Sequence, residues 1–159
     1  MIKIEFEKLI DEVVSIEPSW EKYLNVETGE FLSISDDPYL MDHLTKAKRK
    51  LADGIEDNIE FVRLPNTDNI NEVSIMDEFA RNIEEILENN KDDIEDNTGM
   101  SLEAISEALL DALYEDEPES SFLTVIDELE LSEEYNSYKL DQIRDIVQDW
   151  CNEYEIDFV

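Results

Sequence analysis

Apolar residues recur along this chain with two periods. Residues 2–5 alternate (Ile2, Lys3, Ile4, Glu5), and from Phe6 onward the pattern changes. Phe6, Leu9, Ile10, Val13 and Val14 fall at helical spacing, which predicts a short extended entry and then a helix ended by Pro18. Residues 20–34 carry aromatic and β-branched positions on either side of Val26-Glu27-Thr28-Gly29. That is the pattern of a β-hairpin, with Gly29 supplying the positive φ its turn needs. Asp36-Asp37-Pro38 opens a second helix, whose apolar face is Leu40, Met41, Leu44, Ala47 and Leu51 and whose stop is Gly54. Residues 59–64 (Ile-Glu-Phe-Val-Arg-Leu) read as a third strand. Asn66, Thr67 and Asp68 are N-cap candidates for one helix carrying Ile75 or Met76, Phe79, Ala80, Ile83, Ile86 and Leu87.

Residues 89–99 are polar and read as a loop. A helix follows on Leu102, Ile105, Ala108, Leu109 and Ala112, and the acidic run 115–119 interrupts the chain. A short helix on Phe122, Val125, Ile126 and Leu129 precedes a last one on Tyr138, Leu140, Ile143, Val147, Trp150 and Cys151. The tail 156–159 alternates, as an edge strand would. The pattern predicts one α+β domain over residues 1–159. Its core would be a small, mainly antiparallel sheet (hairpin 20–34 plus strand 59–64) packed against about five helices.

Charge changes what such a domain can meet. Of 159 residues 44 are acidic and 12 basic, a formal net charge of −32. The chain should be repelled by free nucleic acid and by anionic membranes, so direct binding to either is not expected. No stretch approaches the roughly 20 apolar residues of a membrane span. One cysteine allows no internal disulfide, and the acidic start is unlike a signal peptide, so a cytoplasmic protein is expected.

Three stretches resemble the UPF0158 family of small bacterial proteins, which carry no assigned biochemical activity. They are Tyr23-Leu24-Asn25-Val26-Glu27-Thr28-Gly29-Glu30; Phe61 to Pro65 with Asn71-Glu72-Val73-Ser74-Ile75-Met76-Asp77-Glu78-Phe79; and Arg144-Asp145-Ile146-Val147-Gln148-Asp149-Trp150 with Ile156. The resemblance implies kinship in order and spacing over nearly the whole chain. One departure stands out. Where the family has a basic, aromatic segment before its last two helices, this chain reads Glu119-Ser120-Ser121-Phe122-Leu123-Thr124, keeping the phenylalanine and losing the cations. Tyr135 stands where the family has tryptophan.

Individual residues offer little chemistry. His43 is the only histidine, so no His pair can hold a metal. Cys151 follows Trp150 at core spacing in acidic company, the opposite of what activates a thiol. Residues 93–99 place oxygens at alternating positions. Counted as an EF-hand loop, however, position 6 is Thr98 rather than glycine and position 12 is Ala104 rather than an acid. No glycine-rich phosphate loop occurs. No catalytic, metal-binding or cofactor-binding residue is expected, and no cofactor. The expectation is a non-enzymatic interaction or regulatory module for a basic protein partner. The partner surface would be Asp111, Glu115, Asp116, Glu117 and Glu119, where the chain leaves the family pattern. Two alternatives stand beside it. One is a DNA-mimic inhibitor of a nucleic-acid-binding protein, using helical acids such as Asp77, Glu78, Glu84, Glu85 and Glu88. The other is a divalent-metal-dependent hydrolase using surface carboxylates.

Overall fold

A computed structural model describes residues 3–17, 20–35, 46–66 and 70–159. The fold is α+β, and the described chain divides into two compact units. Residues Met1–Ile70 and Ile143–Val159 form a sheet unit, and Asn71–Gln142 form a helical unit.

The sheet unit is built on the hairpin. Strands β1 (Trp20–Asn25) and β2 (Phe31–Ser35) pair antiparallel, and β3 (Phe61–Arg63) joins the other side of β1, giving the order β2-β1-β3. The turn forms because Asn25 organises it. Its side-chain oxygen accepts hydrogen bonds from the backbone N–H groups of Glu27 (2.8 Å) and Thr28 (3.1 Å), and Gly29 takes φ 78°. Register follows the alternation of side chains. Leu24 lies opposite Phe31 and Val62, and Tyr23 lies opposite Leu32 and Arg63, so each set occupies one face.

The Leu24 face is the larger core. It is covered by Leu9, Ile10 and Val13 of helix α1 (Phe6–Val14), and by Ile143, Val147, Trp150 and Cys151 from the second half of the last helix. Tyr23, Leu32 and Ile55 make a smaller cluster on the other face. Three polar contacts tie the unit together. The Lys22 ammonium meets the Glu12 carboxylate at 2.6 Å. The Arg144 guanidinium grips Glu7 through both nitrogens (2.5 and 2.8 Å). The Trp150 indole N–H donates to the Arg63 carbonyl at 2.9 Å. The Arg144 cation beside Glu7 holds that carboxyl below its ordinary value.

Several expectations need correction here. The tail does not extend the three-stranded sheet; Phe158 forms an isolated parallel bridge with Ile4, and the Phe6 and Phe158 rings pack at 4.9 Å. The third strand is three residues long rather than six. The second helix is described only over α2 (Lys46–Asp53), and its proposed start at residues 36–38 lies outside the described residues, as does His43. Gly54 has φ −114° and opens a short 3-10 turn, so it uses none of glycine's left-handed freedom.

The helical unit contains α3 (Glu72–Arg81), the single turn α4 (Ile83–Ile86), α5 (Lys91–Thr98), α6 (Leu102–Ala112), α7 (Pro118–Glu128) and the first part of α8 (Ser132–Glu153). Its core centres on Phe79, Phe122 and Tyr135, whose rings meet edge to face at 5.2 to 6.4 Å. Phe122, the phenylalanine of the 119–124 segment, is thus a core residue with no exposed surface.

Three expectations fail in this unit. Residues 91–98 are helical rather than a loop. Only Ile94 is buried there, too little apolar signal to show a period. The helix is instead supported by Asp92 and Asp93 in its first turn and by Gly99 at φ 69° past its end. The expected 75–87 helix breaks at Asn82, whose side chain turns back to donate to the Glu78 carbonyl at 2.8 Å. Its N-cap is Asn71, which accepts from the Ser74 N–H at 3.1 Å, rather than residue 66, 67 or 68.

Candidate interaction surface

Charge is distributed unevenly between the two units. Residues 71–142 hold 23 acidic side chains and 3 basic ones, a formal −20 on 72 residues. The remaining 87 residues hold 21 and 9, a formal −12. Nineteen of the 23 acids in the helical unit are exposed. Two of its three cations are engaged: Arg81 with Asp77 at 2.7 Å and Lys139 with Glu72 at 2.8 Å.

The five residues singled out in the sequence all lie on this unit, and all are exposed. Asp111 is in the last turn of α6, Glu115, Asp116 and Glu117 are in the corner that follows, and Glu119 is in the first turn of α7. Pro118 starts α7 at the position where a missing N–H is harmless. The corner gathers the five acids at one junction. Asp111 and Glu115 also line a shallow groove of about 450 Å³, floored by small side chains such as Ala108 and Ala112 from α6 and Ser121 and Val125 from α7; Asp116, Glu117 and Glu119 lie outside it.

Two features of this surface were missed in the sequence. Glu103, Glu107 and Asp111 stand four residues apart on α6, so they form one exposed row with a rise of about 6 Å per step, continued by Glu115 in the corner. Tyr114, inside the acidic corner, is 84% exposed. The i, i+4 spacing is readable in the sequence once α6 is placed, whereas the exposure of Tyr114 is not.

Two buried groups carry chemistry of another kind. Cys151 is wholly buried, and desolvation pushes its thiol up to about 11. Tyr135 is 1% exposed, and its hydroxyl makes no hydrogen bond of ordinary geometry, although the Glu72 carboxylate bears on it. Burial pushes this phenol well above its ordinary value, and the negative charges of Glu72 and Glu119 push it further. Among the described residues, no group of three or more His, Cys, Asp or Glu side chains is arranged to hold a metal ion, and no helix is long and apolar enough to cross a membrane.

Comparison with protein-family models, with curated proteins and with solved structures gives no match for this chain.

Proposed function

We propose that this chain is a non-enzymatic, cytoplasmic interaction module, kin to the UPF0158 proteins, whose helical unit takes a basic protein partner at the α6–α7 corner. The observation that carries this reading is the concentration of charge: −20 on 72 residues, with 19 acids exposed and most of the few cations already neutralised. Such a surface draws a cationic partner in quickly and holds it with strong salt dependence. Tyr114 adds an exposed aromatic face beside the carboxylates, suited to stacking on an arginine or lysine of that partner. The row Glu103, Glu107 and Asp111 favours the second reading, a mimic of the nucleic-acid backbone directed at a nucleic-acid-binding protein, because regularly spaced anions along a helix are what such a protein grips.

The test compares two variants of equal net charge. One neutralises the corner (Asp111→Asn, Glu115→Gln, Asp116→Asn, Glu117→Gln, Glu119→Gln). The other neutralises Glu5, Glu27, Glu30, Asp57 and Glu60 of the sheet unit by the same changes. Basic proteins retained from lysate by the immobilised parent and released by a salt step should be lost from the first variant and kept by the second. Equal loss from both would show that charge acts only in bulk and would overturn the corner as the site. If nucleic acid competes the retained proteins away, the mimic reading gains.

A further inference from the structure

Tyr114 is set apart from the other tyrosines of the described residues. Tyr23 and Tyr135 are buried, Tyr138 is half-buried on α8, and Tyr154, 48% exposed, rests its ring on Trp150 at 5.7 Å. Tyr114 is far more open, and it stands in residues 113–117, a segment in neither helix nor strand. Its N–H bonds to the Asp111 carbonyl (3.1 Å) and the Glu115 N–H to the Ala112 carbonyl (3.2 Å). These are the fading turn of α6, so little must be undone to draw the segment into an extended form. Four acids lie within three residues of Tyr114: Asp111, Glu115, Asp116 and Glu117. A cation is in reach as well. Arg81, at the end of α3, gives its Nε–H to Asp77 at 2.7 Å and remains exposed. Helix α3 is packed against α6, where the Ser106 hydroxyl donates to the Ala80 carbonyl at 2.6 Å. The Asp77 carboxylate foremost, and Tyr114 less strongly, hold the Arg81 cation above its ordinary value, which places the phenol within its electrostatic reach.

We propose that Tyr114 is a phosphorylation site, modified by a tyrosine kinase that selects acid-flanked segments, and that Arg81 receives the phosphate. The chemistry is phosphoryl transfer from ATP. The Tyr114 phenol oxygen attacks the γ-phosphorus, the new O–P bond forms as the bond to the ADP oxygen breaks, and the phenolic proton passes to the kinase's carboxylate base. The carboxylates on either side of Tyr114 pair with a basic substrate groove and steer the segment into it. The product carries about −1.5 to −2 of charge where the phenol carried none. Among five acids such a charge is repelled unless a cation takes it. Asp77 uses one N–H of Arg81, and a guanidinium has five, so its other donors can grip a phosphate. The inference rests on the corner as a surface for basic proteins and names one class of them.

The test treats the full chain with ATP, Mg²⁺ and an acid-directed tyrosine kinase domain, and maps the phosphate by mass spectrometry. Tyr114 should be modified well before Tyr154, and Tyr114→Phe should abolish the fast phase. Glu115→Gln with Asp116→Asn and Glu117→Gln should cut kcat/KM by about tenfold, through lost steering and pairing. Arg81→Gln should leave the rate of modification unchanged. In a phosphorus NMR titration of the product it should raise the second pKa of the phosphate by about 0.2–0.7 of a pH unit, the worth of one exposed ion pair. Asp77→Asn, which releases Arg81 to the phosphate, should lower it. Modification of Tyr154 at an equal rate, or an undiminished rate for the neutralised variant, would overturn the phosphorylation site. A phosphate titration indifferent to Arg81→Gln would overturn Arg81 as its receiver. If Tyr114 is modified as expected while basic proteins from lysate ignore the corner, the docking reading alone falls. If those proteins need the corner but Tyr114 stays bare, this inference alone falls.

Discussion

Among the described helices, two end in a left-handed turn that favours glycine yet place a glutamate there. At the end of α7 the Leu131 N–H reaches back to the Ile126 carbonyl (2.9 Å) and the Glu130 N–H to Asp127 (3.1 Å), with Glu130 at φ 57°. At the end of α8, Ile156 bonds to Cys151 and Glu155 to Asn152 in the same way, with Glu155 at φ 54°. This is the Schellman arrangement, which places its left-handed residue where a Cβ is disfavoured. Replacing Glu130 by glycine relieves roughly 1–2 kcal/mol of left-handed strain. It also removes an anion from the negative end of the helix, about 0.3–1 kcal/mol more. Against this, glycine frees the unfolded chain by about 0.4–1 kcal/mol. The net is a stabilisation of about 1 kcal/mol. Urea unfolding should therefore show a higher midpoint with an unchanged slope. Glu130→Gln isolates the charge and should recover less than half of the gain. Gly99→Ala supplies the opposite sign: the added Cβ meets nothing within 4 Å, so its loss of about 1 kcal/mol would be backbone strain alone. If Glu130→Gly lowers the midpoint, or Glu130→Gln gives the whole gain, backbone strain is not what limits this turn.

Tyr135→Phe removes a buried hydroxyl that has no hydrogen bond of ordinary geometry, so it should raise stability by about 1 kcal/mol in the same assay, although it deletes a polar atom from the core. Alkali should destabilise the protein through Cys151. Its folded value of about 11 lies above the ordinary 9.0, so its contribution is intact below pH 9 and fades as pH rises from there through 11. Melting temperatures measured across that window should fall less steeply for Cys151→Ala than for the parent. Added sodium chloride should raise the melting temperature, because screening relieves repulsion among 44 carboxylates; a flat response up to about 1 M salt would count against that repulsion as a destabilising force.

The hairpin was legible because its signals are local. Asn25 and Gly29 fix the turn, and alternation on either side fixes the register. Helix α1 was legible for the same reason, since its buried residues Leu9, Ile10 and Val13 carry the period unaided. Helix α5 was not, because a helix that buries one side chain shows no period, and its acidic composition reads as loop. The break at Asn82 was hidden because Ile83, Ile86 and Leu87 keep the helical spacing after the backbone has left it. The start of α8 was set too late, since Tyr135 alone marks the buried face among polar residues 132–137. The acidic corner was singled out because the chain departs there from the pattern it resembles. That the helical unit carries more charge than the sheet unit could not be read in the same way, because it depends on residues 143–159 returning to the sheet. The hydrogen bond from Trp150 to the Arg63 carbonyl needed the same return, which brings the end of α8 to a strand far away in sequence.

That return also sets an order of assembly. The helical unit is one continuous stretch, so its contacts can close as soon as residue 142 has left the ribosome. The sheet unit must wait, because Leu24 and Leu64 find Val147 and Trp150 only when residues 143–159 emerge. Contacts of such long sequence separation close slowly. A nascent chain with residues 1–142 outside the ribosome would therefore carry a finished bundle of helices behind a hairpin whose apolar face has α1 but not the end of α8 to cover it, the state in which chaperones would find their grip on this protein.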